Sequence, residues 1–156
     1  MIVNKITLDG FRNYSEFTAA FSDQVLAAGR RLQPGPTGIG GAIRYSYRLM
    51  EANDFSSSRQ VIDISADGYN NSGNQPEIAR DEALALGVTI NGLTVMNEVP
   101  GLDRYFSNRV IGGPGAFVVE ALNFEQYADA FMLKLIREVS GNRVTVNSQN
   151  TRFASD

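Results

Sequence analysis

Three consecutive segments constrain this chain more than any other feature. Residues 60–66 read QVIDISA, a nearly continuous run of apolar and small residues with strand propensity. Such a run is the mark of a strand buried on both faces of a sheet. Residues 75–86 then carry a helical pattern that Gly87 stops, and VTINGLTVM, residues 88–96, returns to strand. A strand–helix–strand unit of this length makes a right-handed parallel crossover. The competing reading puts a two-residue hairpin turn at Asn91-Gly92, between short antiparallel arms. The parallel reading predicts an open α/β sheet, a fold that places its ligands outside the carboxyl ends of its strands.

The flanking sequence extends the alternation. Residues 2–8 are β-prone and end at Asp9-Gly10, and residues 15–31 repeat Phe17, Ala20, Phe21, Val25 and Ala28 at helical spacing behind a Ser15 cap. A second helix is expected over residues 38–52, with Ile39, Ala42, Ile43, Ser46, Tyr47 and Met50 on one face. After residue 96, GLDRYFSNRVI predicts a short helix, GGPG a turn and AFVVEA, residues 116–121, a short strand. The last helix, residues 124–140, has an expected apolar stripe of Phe124, Tyr127, Ala128, Phe131, Leu135 and Val139. Residues 141–156 form a polar tail in which RVTV is a candidate edge strand, so the domain is expected to span residues 1–140. The expected architecture is a three-layer α/β/α open sheet, mostly parallel.

Composition excludes several chemistries. The sequence has no His and no Cys, which removes Ser-His-Asp and Cys-His catalysis, His- or Cys-based zinc sites and disulfides. Any metal would have to be a hard cation held by oxygen, such as magnesium, calcium or manganese. With 14 Lys and Arg against 17 Asp and Glu, and no dense basic cluster beyond GRR at 29–31, a phosphate-neutralising face for nucleic acid is not expected. No apolar run is long enough to span a bilayer, and the first ten residues lack the regions of a signal peptide.

DISADGYNNSGN, residues 63–74, is the candidate site. Asp63, Ser65, Asp67, Gly68 and Asn71 match the first, third, fifth, sixth and ninth positions of an EF-hand loop, but Asn70 and Asn74 stand at its eighth and twelfth, and VIDI reads as strand where a helix is required. The phosphatase pattern of the haloacid dehalogenase family needs an Asp two residues before the Asp-Gly pair, where this chain has Ser65. The third reading is a ligand or metal site at the carboxyl end of a buried strand. Asp63 lies on the same strand face as Asp67 but about 13 Å away, so the two cannot share an ion. Thr37 could be a ligand or could cap the helix that follows it. Gly38, Gly40 and Gly41 would let a phosphate approach that helix, although TGIGGAI matches neither a dinucleotide fingerprint nor a P-loop.

Through RQVIDISADGYNNSG, ARDEALALGVTINGL and RVIGGPGAFVVEA the chain resembles the von Willebrand factor type A superfamily, in particular its bacterial branch of unknown function. These segments cover most of residues 37–139 in that family's order. The resemblance implies a Rossmann-like sheet, with Thr37 and Asp67 as members of a metal-ion-dependent adhesion site. Asn70 and Asn71 lie beside it, able to contact a partner or to close the turn. It further implies Mg2+ that recruits an acidic group on a protein partner. The superfamily's Asp-x-Ser-x-Ser strand is not in this sequence, so the chain is expected to be incomplete at its amino terminus, beginning at the third strand. The resemblance leads to the expectations that Mg2+ binding is weak or absent in this form, that an exposed sheet edge allows self-association, and that the missing strand is encoded upstream after an export signal. The alternative is a small-molecule or phosphate-binding domain, or a hydrolase, using Asp67 as base or ligand.

Overall fold

The computed structural model describes residues 35–54, 57–97 and 99–139. The strand expected at residues 2–8, the first helix and the candidate edge strand RVTV lie outside the described residues. In chain order the elements are α1 (Ile39–Glu51), β1 (Gln60–Ala66), α2 (Pro76–Ala85), β2 (Val88–Val95), α3 (Leu102–Tyr105) continued by one π-helical turn (Phe106–Val110), β3 (Val118–Ala121) and α4 (Tyr127–Val139).

The three strands form one open sheet in the order β1-β2-β3, with both pairings parallel. Asp63 stands opposite Asn91 and Ile64 opposite Gly92, so β2 runs straight through the Asn-Gly pair and the hairpin alternative is overturned. Every residue of β2 is buried, as a central strand covered on both faces requires. Pro76 opens α2, where its missing N–H is no loss, and Gly87, at φ 79°, takes the left-handed turn after Leu86 that ends it.

Helices cover both faces. Ile39, Ile43 and Tyr47 of α1 pack with Ile62 and Ile64 of β1, Val88 and Ile90 of β2, Ala79 and Ala83 of α2, and Leu102, Phe106 and Val110. Burying residues such as Ile43, Ile90 and Phe106 contributes about 1.5–3 kcal/mol each. On the opposite face Leu93, Val95, Val119 and Ala121 pack with Phe117 and with Ala130 of α4. The chain is thus a small α/β fold with an open parallel sheet.

Three sequence expectations need correction. The third strand begins at Val118, because Phe117 N–H donates to the side-chain Oδ1 of Asn91 at 3.2 Å instead of to a ladder carbonyl. The segment after β2 is an α-helical turn followed by a π-helical one, rather than a single short helix. The buried face of α4 is also rotated from the expected stripe. Phe124 precedes the helix and is 60% exposed, and Ala128 is exposed, whereas Lys134 is 1% exposed.

The rotated face carries polar contacts beside Ala130. Lys134 Nζ forms an ion pair with Asp63 of β1, and beyond that carboxylate it has no hydrogen-bond partner among the described residues. One turn later, Glu138 accepts a hydrogen bond from Asn91 Nδ2, an ion pair from Arg59 Nη2 at 2.6 Å, and gives its main-chain carbonyl to Arg59 Nη1 at 3.1 Å. Arg137 lies over the Phe117 ring at 4.1 Å. Burial pushes the Lys134 ammonium below its ordinary range, opposed by Asp63, and burial together with the Asp63 charge pushes Glu138 up, opposed by Arg59 and Lys134.

Candidate functional site

At the carboxyl end of β1 the chain leaves the sheet at Ala66, bends through Asp67 and Gly68, and runs to α2 by residues 69–75. This loop is tied to the start of α1. Thr37 N–H donates to Asn71 Oδ1 at 2.7 Å, and the N–H groups of Asn71 and Ser72 donate back to Thr37 O at 2.9 and 3.2 Å. Gly40 N–H donates to Asn70 Oδ1 at 3.2 Å.

These bonds solve a local problem. The first N–H groups of a helix have no partner within it and are usually met by a side chain at the N-cap. Here the N-cap is Gly38, which has no side chain to offer, and the amide oxygen of Asn70, thirty residues further along, supplies the acceptor. The cap alternative for Thr37 is therefore overturned, since it precedes the N-cap and is itself held by its main chain. Gly40 is required for the same docking. A Cβ there would collide with Asn74 O and lie 2.8 Å from the Asn74 carbonyl carbon. The room left by that glycine is filled by the chain's own loop.

A second support comes from the segment after β2. Asn70 N–H donates to Tyr105 Oη at 3.2 Å. Tyr69 meets the Tyr105 ring edge-on at 4.8 Å and donates its hydroxyl to Pro100 O at 2.9 Å. Gly101, at φ 80°, turns the chain into α3 so that Tyr105 reaches the loop. Phe106 then fills the space above Gly92, where a Cβ would lie 2.7 Å from its ring.

Of the four residues singled out from the sequence, Thr37, Asn70 and Asn71 are thus joined in one hydrogen-bonded unit. Asp67 is exposed on the same loop, three residues before Asn70, and among the described residues makes no hydrogen bond with the other three. No group of three or more Asp or Glu side chains that could hold a metal gathers among the described residues. Tyr69 and Tyr105 were missed from the sequence. Their signal was positional, since Tyr69 is on the candidate loop and Tyr105 follows the carboxyl end of β2.

The α1–α2 contact behind the loop is an ion pair. Arg44 Nε donates to Glu82 Oε2 at 2.7 Å, its Nη2 pairs with Oε1, and Tyr47 Oη donates to Oε2 at 3.0 Å. The Arg44 hydrogen bond holds the Glu82 carboxyl below its usual range, and Glu82 in turn raises Arg44.

No described helix is long and apolar enough to cross a membrane. No curated protein and no solved structure was found to match the chain. A family model described as a protein of unknown function, DUF1194, matches residues 13–143. That match covers well over half of the 156 residues, and the chain belongs to the DUF1194 family.

Proposed function

We propose that this chain is a protein-binding module of von Willebrand A type, in which Asp67 and Thr37 help to hold Mg2+ for recognition of an acidic group on a partner. The observation that carries the reading is the main-chain clamp between Thr37 and Asn71. It ties the start of α1 to the loop that carries Asp67, at the carboxyl end of a parallel strand, where open α/β sheets bind ligands.

The donors fit the ion in kind. Asp67 offers an exposed carboxylate and Thr37 a hydroxyl, both hard oxygen ligands. They fall short in number, because magnesium takes about six oxygens, so water would fill most positions and binding is expected to be weak. When bound, the ion supplies positive charge and a position that a partner carboxylate can take. The side-chain oxygen of Asn70 is committed to Gly40 N–H of α1 and that of Asn71 to Thr37 N–H just before the helix, which leaves their amide nitrogens as donors toward the partner. Tyr105 and Tyr69 keep the loop in place from the other side. Among the described residues β1 is an edge strand, and its unpaired main chain is the surface through which self-association is proposed.

The test is binding of an immobilised chain to acidic peptides with Mg2+ or with a chelator, beside an Asp67→Ala variant. Retention that needs Mg2+ and is lost in Asp67→Ala is expected. Equal retention with chelator would contradict the reading.

A further inference from the structure

Among the described residues two dipeptides place a glycine after Asp or Asn, the arrangement most prone to spontaneous cyclisation: Asp67-Gly68 and Asn91-Gly92. In both, the main-chain nitrogen of the glycine can attack the side-chain Cγ of the preceding residue. A following glycine favours this because it brings no side chain to the crowded ring. In an unfolded chain the Asn-Gly pair reacts faster, because a carboxamide cyclises more readily than a mostly ionised carboxylate.

The fold treats the two pairs differently. Asn91 is fully buried in β2, with Oδ1 accepting from Phe117 N–H and Nδ2 donating to Glu138. Gly92 N–H, the would-be nucleophile, donates to Phe117 O at 2.9 Å, and Phe106 packs over the glycine. Extended strand geometry also turns the Asn91 Cγ away from that nitrogen, so cyclisation requires the central strand to leave the sheet. Asp67 and Gly68 lie on a bend outside the ladder. Asp67 is exposed, and a Cβ on Gly68 would meet nothing within 4 Å, so no side chain crowds the position of the attacking residue.

We propose that Asp67-Gly68 is a site of spontaneous succinimide formation and isoaspartate conversion, and that folding inverts the intrinsic order by silencing Asn91-Gly92. Gly68 N forms a bond to Asp67 Cγ, and the N–H proton leaves with the carboxyl hydroxyl as one water. The cyclic imide then takes up one water at either carbonyl. Opening at Cγ restores aspartate; opening at the main-chain carbonyl routes the backbone through Cβ and Cγ and leaves the α-carboxylate as the side group. No oxidant or cofactor enters. The isoaspartyl link lengthens the loop by one main-chain atom, three residues before Asn70, and loosens its hold on Thr37 and Gly40.

A link to the proposed cation site rests on the reading given above. In that reading Mg2+ coordinates the carboxylate oxygen that has to leave as water, so Mg2+ slows the conversion.

The full chain is aged at neutral pH, labelled with an isoaspartyl methyltransferase and mapped by peptide, alone, with Mg2+ and in denaturant. Asp9-Gly10, outside the described residues, is scored on its own peptide. In the native chain, label is expected at Asp67 and not at Asn91. It should fall severalfold in Gly68→Ala, which has room for the methyl group, and in denaturant Asn91 should overtake Asp67. Native labelling at Asn91 equal to that at Asp67, or no label at Asp67, would overturn the proposal. If Asp67 is labelled equally with and without Mg2+, the modification site stands and the cation reading loses support.

Discussion

Lys134 of α4 and Asp63 of β1 form an ion pair in which the ammonium is almost wholly buried while the carboxylate side chain keeps 35% of its exposure. The asymmetry decides what each deletion does. Removing Asp63 leaves a buried ammonium with no ion-pair partner and only the charge of Glu138 to offset it, whereas removing the ammonium leaves a carboxylate that water can reach. Asp63→Ala is expected to destabilise by about 1–3 kcal/mol, below the range for a fully buried pair, and Lys134→Met to change stability by less than about 1 kcal/mol. Urea unfolding of both variants checks this; a larger loss in Lys134→Met would contradict it.

The pH dependence of stability follows from the two glutamates with opposite shifts. Glu82 is held below its ordinary 4.5 by Arg44, so its contribution is present above 4.5 and is lost as pH falls through the lower folded value. Glu138 is raised above 4.5 by burial and by Asp63, so its contribution is present below 4.5 and is lost as pH rises through the higher folded value. Thermal melts across acid pH are expected to show Glu82→Gln flattening the loss on the acid side and Glu138→Gln flattening the loss on the neutral side.

Two neighbouring glycines of α1 separate packing from propensity. Gly40→Ala drives a methyl group into the Asn74 main chain and is expected to destabilise by about 1–3 kcal/mol or to undock the loop. At Gly41 an added Cβ meets nothing within 4 Å, and Gly41→Ala is expected to stabilise by about 0.5–1 kcal/mol. Melting temperatures that move in opposite directions are the predicted result.

The hydroxyl of Tyr105 is worth one hydrogen bond to the loop. Tyr105→Phe keeps the ring contact with Tyr69 but leaves Asn70 N–H without that acceptor, at a loss of about 0.5–1.5 kcal/mol. Hydrogen exchange at Asn70 should rise while exchange within β2 stays unchanged.

Much of this fold was legible because periodicity and breakers agreed. QVIDISA gave β1 at its observed bounds, and Pro76 and Gly87 bracketed α2. What escaped depended on side chains acting across the sheet. The start of β3 shifted because Asn91 replaces a main-chain partner at Phe117, and no local pattern announces that. The buried face of α4 differs from the apolar stripe because it includes Lys134, which hydrophobic spacing does not count and whose charge Asp63 and Glu138 offset from across the sheet and along the helix. The π-helical turn leaves Leu102, Phe106 and Val110 at four-residue spacing, so it looks like ordinary helix in sequence. At the candidate site, the loop was legible as the stretch after the carboxyl end of β1, and Asn70 and Asn71 were singled out through the family resemblance. The use of Asn70 as a distant cap for α1 was not, because it depends on Gly38 having no side chain to offer.

The cation reading is tested most directly by recording amide resonances of the chain during Mg2+ titration, with Asp67→Ala as the control. Saturable shifts confined to residues 37–40 and 67–72, weak in affinity and absent in Asp67→Ala, are the predicted result. Shifts spread over unrelated acidic residues, or identical in the two chains, would contradict a role for Asp67 in holding the ion.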